Sequence, residues 1–391
     1  MEIKRKIRIA FITIYGLSVG GTERFLQTIA SNLPKDEFEI DYYYTGEVAE
    51  HRKNYVIDNG VNCIHYDGEY NSRYRYISLR HSNFEQVFKD DYDLIFTGRC
   101  GLPQDPFPHI RTIPIIDTLH YISGVDNQYN IARVLHISNF SRDKWIAKGG
   151  DKQRVEMISL PLYLPPFTFK DIRSSLGLRE DVFLFGFHQA NRDEIFSEIP
   201  LKAYKEIECE NNAFVICNGS RLYREQAKDL ELKNVFFYDY VKDDDEFYSI
   251  IKSLNVYAHG RKDGELNSAA IAEALSFGLP IITHPSAFFN GHLEIVKGNG
   301  FVANNYLEYA KDMKILEEDR NLRENMGQKS LVIFKERYSF DAQMSRIRNI
   351  IYEVLHNPYP HKKRRILFDF KQRCKNSLLK TLKLVLNPEN P

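Results

Sequence analysis

Short apolar runs alternate with helical patterns along most of the chain. Strands are expected at residues 7–14, 40–44, 62–66, 93–96, 112–116 and 134–137, with a first helix over residues 22–33. Such alternation predicts a parallel sheet covered by helices on both faces. The proline-rich stretch from Pro161 to Pro166 then favours an extended, exposed connection. Beyond it the pattern restarts, with strands expected at residues 182–187, 213–217, 235–238, 255–258 and 280–283. Two Rossmann-like domains follow, residues 1–165 and 166–338. Apolar residues then recur at helical spacing over 339–356, so residues 339–358 form a last helix.

A length of 391 residues exceeds what one core usually supports, which agrees with two domains. The 53 basic and 53 acidic residues cancel, which argues against a nucleic-acid partner. Cys63, Cys100, Cys209, Cys217 and Cys374 are odd in number, scattered and without a Cys-x-x-Cys pair. A reducing cytoplasm without a zinc site is expected. Lys4-Arg5-Lys6 before an apolar run imitates a signal peptide, but Arg8 interrupts the run and no small-residue cleavage site follows. A buried first strand is the better reading. Nowhere do about 18 apolar residues run together, so no membrane span is expected.

Glu265 and Glu273 bracket a loop-to-helix junction. The stretch 268–277 is Ala-rich and stops at Gly278 and Pro280. At about 1.5 Å per residue the two carboxylates would lie roughly 12 Å apart along the axis, comparable with ribose and sugar in a nucleotide-sugar. The helix N-terminus between them offers N–H groups to a pyrophosphate. Spacing alone also fits a solvated helix face. Glu273, however, is flanked by Ala272 and Ala274, a setting in which a carboxylate needs a partner.

With Gly264 before the first Glu and Ala270-Ile271-Ala272 before the second, the segment resembles the Glu-x7-Glu signature of the retaining GT-B glycosyltransferases of family four, the glycosyl transferases group 1. The resemblance covers residues 7–356. It implies an α/β fold of two Rossmann-like, doubly wound parallel-sheet domains facing a cleft, with the last helix returning to the first domain. It also implies that Glu265 lies near the donor sugar and Glu273 holds the ribose. The implied activity is metal-independent hexosyl transfer from a nucleoside-diphosphate sugar to a hydroxyl of a growing, often lipid-linked, glycan. No cofactor is expected, since the nucleotide-sugar is a substrate.

Other positions are similar to the family's motifs. Gly20 and Gly21 follow the first strand, permit close backbone approach, and resemble a Gly-Gly-x-Glu loop near donor phosphate and acceptor, with Thr22 as the helix cap. The loop is not Gly-x-Gly-x-x-Gly, so a nicotinamide cofactor is not expected. His120 stands where the family often has a His, and an imidazole there hydrogen-bonds substrates and exchanges protons near neutrality. After Gly186 the family commonly has Arg, whereas this chain has Phe187; Arg192 is the nearest cation for a departing diphosphate, and His188 a weaker substitute. Arg261 and Lys262 add positive charge before the Glu pair, and on the resemblance the amides near Asn267 and Ser268 are expected to meet the diphosphate. Ser138 is expected to face the cleft and Ser141 to cap a helix.

Asp91-Tyr92-Asp93 and Asp243-Asp244-Asp245 match Asp-x-Asp, but the second reads better as a helix N-terminus, and no metal is proposed. From residue 361 to 391, nine Lys or Arg interleave with apolar residues against Asp369 and Glu389. This tail fits an anionic membrane surface at the inner face, or equally a solvated or docked segment. Two rival functions stay open: a nucleotide-sugar 2-epimerase on the same fold, and a non-catalytic glycan-binding or scaffold protein.

Overall fold

The computed structural model describes residues 5–73 and 75–357, and the basic tail lies outside them. The chain forms two compact units. Of the described residues, one takes 5–136, 144–156 and 346–357; the other takes Ile137–Asp143 and Met157–Ser345. The connection thus joins the second unit well before the prolines. Ser159 donates its N–H to Gln343 Oε1 at 2.9 Å, and Leu162 donates to the Tyr338 carbonyl at 2.9 Å.

The first unit holds β1 (Ile7–Ile12), β2 (Phe38–Tyr44), β3 (Asn62–His65), β4 (Glu69–Arg73), β5 (Tyr76–Arg80), β6 (Leu94–Arg99), β7 (Ile115–Leu119), β8 (Ile131–His136) and β9 (Val155–Met157). Its main sheet runs β3-β2-β1-β6-β7-β8-β9, and the pairs from β3 to β8 are parallel. The central strands are buried on both faces, which is why they read as continuous apolar runs rather than as alternation. Strand β7 starts three residues later than its apolar run, because Pro114 has no N–H to give the ladder. The antiparallel hairpin β4–β5 had no counterpart in the apolar pattern, since its sequence is rich in Arg and Tyr. The last helix is Phe340–His356. Within the first unit its Arg348 Nε and Tyr352 hydroxyl donate to Glu37 at 2.9 and 2.6 Å, and the Tyr352 ring lies 6.0 Å from Phe38.

The second unit holds β10 (Phe183–His188), β11 (Asn212–Cys217), β12 (Val235–Tyr238), β13 (Val256–Ala258), β14 (Gly264–Glu265), β15 (Ile281–Thr283), β16 (Phe289–Asn290) and β17 (Gly300–Val302). Six of them form a parallel sheet in the order β12-β11-β10-β13-β15-β17; β14 and β16 pair separately. Two such sheets with helices between the strands match the expected α/β class. Strand β17 and the helices Tyr306–Glu318 and Arg320–Arg337 extend the pattern past the last strand expected from sequence. Alternation along β10 sends Phe185 and Phe187 to one face of the sheet. There the Phe187 ring lies 5.8 Å from Phe214 and 5.1 Å from Tyr223. Among the described residues no helix is long and apolar enough to cross a membrane.

The core of the first unit encloses a charge cluster. Arg99, only 2% exposed, donates to Asp117 at 2.8 Å and to Asp126 at 2.9 Å, and its guanidinium sits 4.7 Å from the Phe107 ring centre. Burial works against the Arg99 charge, but the two carboxylates more than offset it and the pKa is raised. Burial raises the Asp117 pKa, and Arg99 only partly counters this. Removing one partner of such a cluster leaves an unpaired buried charge. Arg99→Met should therefore cost about 3–5 kcal/mol at neutral pH, measured by denaturant unfolding. A carboxyl whose folded pKa exceeds its unfolded value stabilises the fold when protonated. The penalty should accordingly shrink as pH falls from 7 into the carboxylate range.

Candidate active site

Ligands of open parallel sheets bind beyond the carboxyl ends of the strands, where strand order reverses. In the second unit that point is β10, with β11 on one side and β13 on the other. Three neighbouring strands end in histidines there: His188 closes β10, His259 follows β13, and His284 follows β15.

From His259 the chain turns through Gly264, whose φ of +65° belongs to the left-handed region and where a Cβ would come 1.8 Å from the Phe289 carbonyl oxygen. Only glycine fits that turn. Glu265 then lies on β14, and Ser268 caps the helix Ala269–Ser276, its hydroxyl accepting the Ile271 N–H at 3.1 Å. The helix therefore begins four residues after Glu265. The separation of the two carboxylates is not set by eight residues of helical rise, as the sequence estimate assumed.

Glu265, its side chain 15% exposed, is held from two sides. His259 Nε2 lies 3.1 Å from one carboxylate oxygen, and Arg261 donates to the other at 3.2 Å. Burial pushes the Glu265 pKa up, but His259, Arg261 and the Ser268 hydroxyl outweigh it, and the net shift is downward. Glu265 is thus an anion at neutral pH. Its backbone N–H points to His292 Nδ1 at 3.3 Å, while His292 Nε2 donates to the His284 carbonyl at 3.1 Å. Burial lowers the pKa values of His259 and His284 and takes His292 down to about 4, so these three rings are neutral at pH 7.

Glu273, its side chain 18% exposed, meets His188 Nε2 at 2.6 Å. The Tyr257 hydroxyl lies 3.2 Å from His188 Nδ1 and 2.9 Å from the His188 carbonyl oxygen, so both compete for its one proton. Burial raises the Tyr257 pKa well above the usual phenol range, and the negative charges of both Glu265 and Glu273 add to the effect.

The remaining expected site residues divide. Arg261 is gripped by Asp263 at 2.6 and 3.0 Å as well as by Glu265, so its guanidinium is already neutralised within its own loop. Arg192 and Lys262 are exposed and make no ion pair among the described residues. Asn267 donates to the Ile137 carbonyl at 3.0 Å, and its Oδ1 is buried without a partner. Phe187 is 2% exposed within the core, and His188 directs its ring nitrogens to Glu273 and Tyr257. Capping near residue 139 falls to Ser138 rather than Ser141: the Ser138 hydroxyl accepts the Ser141 N–H at 3.2 Å. Glu294 adds its carboxylate to the Asn139 and Phe140 N–H groups at 2.8 and 2.6 Å.

In the first unit, Gly20 is the cap of the helix Gly21–Asn32 and Thr22 lies inside it, so no side chain caps this helix. A Cβ on Gly20 would come 2.3 Å from the Glu23 carboxylate, whereas Gly21 faces open space. His120 directly follows β7 and packs edge-on against Phe25, with ring centres 4.9 Å apart. Its Nε2 is buried without a hydrogen-bond partner, and burial lowers its pKa to about 4. The ring is therefore a neutral hydrogen-bonding group at pH 7 and not a proton exchanger. Asp117 does not orient it, being paired with Arg99. Both Asp-x-Asp sequences have local roles: Asp91 and Asp93 pair with Arg8 and Arg5, and Asp243 accepts the Glu246 N–H at 2.9 Å to cap the helix Asp244–Ser253.

The sequence singled out the two glutamates but not their histidine partners. His188 and Glu273 are 85 residues apart, and only the parallel strand order brings them together.

Residues 168–331 match the model of the family described as glycosyl transferases group 1. No curated protein matches the chain. Among solved structures, a glycosyltransferase from Rickettsia africae is similar with a TM-score of 0.72 at 14% identity, covering 90% of this chain and 100% of its own. Anabaena HepE, in complex with UDP and glucose, gives a TM-score of 0.65 at 16% identity over 88% and 99% of the two chains. Sucrose-phosphate synthase from Thermosynechococcus elongatus gives 0.64 at 15% identity over 90% and 100%. The fold of the chain is accordingly that of the GT-B glycosyltransferases, and the similarity to the glycosyl transferases group 1 extends over residues 168–331.

Proposed function

We propose that the protein is a cytoplasmic, metal-independent, retaining hexosyltransferase that moves a sugar from a nucleoside-diphosphate sugar to a hydroxyl of a growing glycan. The observation that carries this reading is the pair of partly buried carboxylates at the strand-order reversal of the second unit, Glu265 kept anionic by His259 and Arg261, and Glu273 paired with His188. Anabaena HepE, which shares the fold, is known in complex with UDP-glucose, which favours a nucleotide-sugar donor. On this reading Glu265 orients the donor sugar and Glu273 accepts the ribose hydroxyls. The diphosphate meets Arg192, Lys262 and the amides at Asn267 and Ser268; Arg261, neutralised by Asp263 and Glu265, supports the loop. Gly20 and Gly21 serve the donor phosphate and the acceptor, and His120 the acceptor and the donor sugar. Retention follows if the departing phosphate takes the acceptor proton, leaving the protein to position groups and stabilise charge. The basic tail supplies contact with an anionic membrane carrying a lipid-linked acceptor.

Thermal unfolding with a panel of nucleotide-sugars should show one donor raising the midpoint by mass action. Glu273→Ala should weaken binding of that donor about 10- to 100-fold, the effect of losing one or two charge-assisted hydrogen bonds. Unchanged nucleotide affinity in this variant refutes the ribose assignment. Glu265→Gln should lower kcat by roughly 10²-fold while leaving donor affinity within a few-fold. Incubation with donor alone should return no epimerised sugar.

A further inference from the structure

Both glutamates are held by the same construction, repeated on adjacent strands. His188, the last residue of β10, turns Nε2 to Glu273, and its Nδ1 faces the hydroxyl of Tyr257 on β13. One strand further, His259 turns Nε2 to Glu265, and its Nδ1 faces the hydroxyl of Thr283, the last residue of β15, at 2.9 Å. Each set spans neighbouring strands: Gly186 is in register with Tyr257, and Ala258 with Ile282. A carboxylate only accepts hydrogen bonds, so the nitrogen facing it carries the proton. The hydroxyl opposite then steadies the ring as the donor to Nδ1, at Thr283 directly and at Tyr257 with its one proton shared between Nδ1 and the His188 carbonyl, much as an outer-shell partner does for a histidine that ligates a metal.

The rings are themselves fixed. The Tyr309 hydroxyl donates to the His259 carbonyl at 3.0 Å, and Phe247 packs edge-on against His188 with ring centres 5.2 Å apart. The other four relay members, His188, Tyr257, His259 and Thr283, are buried. The carboxylates they hold are more exposed than the rings, and Glu273 Oε1 makes no hydrogen bond among the described residues. The ring therefore reaches the carboxylate from the buried side, and an acceptor oxygen is left for a ligand.

The structure assigns His188 and His259 as positioning residues: two hydroxyl–imidazole–carboxylate relays, Tyr257–His188–Glu273 and Thr283–His259–Glu265, aim one carboxylate at the donor's ribose and the other at its sugar. The assignment rests on the donor roles proposed above. Its consequence is a division of labour. His188 acts through Glu273 on donor binding, and His259 acts through Glu265 on the transfer step.

Two measurements on the full chain test this. Long-range proton–nitrogen spectra of the histidine rings should show the Nε2–H form at both residues. Glu273→Ala should shift the His188 signals and leave those of His259, and Glu265→Ala the reverse. An Nδ1–H form at either ring overturns that relay. In kinetics, His188→Ala should raise the donor KM about 10- to 100-fold with little change in kcat, and His259→Ala should lower kcat by a similar factor with little change in KM. His188→Gln and His259→Gln, which keep an N–H near the Nε2 position, should recover most of each loss and guard against a folding defect. Equal losses of kcat and KM in all four variants, tracking a lowered unfolding midpoint, overturn the positioning role. Unchanged kinetics in both alanine variants of a chain that turns over its donor overturn it while sparing the donor reading. A wild-type chain that neither binds nor turns over any nucleotide-sugar sinks both.

Discussion

Carboxylates removed from water must be met by donors, or they take up a proton and lose their use as anions. The second unit is organised around that constraint at Glu265 and Glu273. Each side chain is less than one-fifth exposed, and each finds an imidazole at the end of a parallel strand. The strand order that places β10, β13 and β15 side by side is what makes those imidazoles available. Changing the order would leave Glu273 without His188, whereas Glu265 would keep the partners of its own loop, His259 and Arg261.

The parts written in local pattern were readable from sequence. Strands β10, β11 and β13 are fully or largely buried apolar runs and β12 a half-buried one, and their expected positions differ from the observed ones by a residue or so at each end. The helix after the first glutamate was marked by alanines and stopped by Gly278. What could not be read depended on pairing at a distance. His259 stood six residues before Glu265, visible but without any sign that its ring would turn toward it. The link from His188 to Glu273 needed two strands to be neighbours. Strand β17, only Gly300-Phe301-Val302, was too short to show a period, and the Arg- and Tyr-rich hairpin β4–β5 carried no apolar run.

The departure at Phe187 also follows from packing. Its ring lies in the aromatic cluster with Phe214 and Tyr223, on the face of β10 opposite to the one His188 occupies. A guanidinium confined to that position would be buried among rings without a carboxylate to meet it, a costly arrangement. On the proposed function, positive charge for a diphosphate has to come from loops instead. Arg192 and Lys262 are exposed there, whereas His188 faces Glu273 and Tyr257.

Neutral partners serve a carboxylate differently from cationic ones. A lysine or arginine alone beside Glu265 would fix its position but cancel its field. His259, neutral because burial lowers its pKa, donates a hydrogen bond and leaves the charge intact. Arg261 does bring a positive charge, yet Asp263 binds it with two hydrogen bonds, so the set of Arg261, Asp263 and Glu265 keeps one net negative charge. That residual charge is directed at whatever lies beyond β14. On the proposed function, its effect in a region of reduced dielectric on a sugar hydroxyl, or on positive charge developing at an anomeric carbon, is far greater than it would be in water.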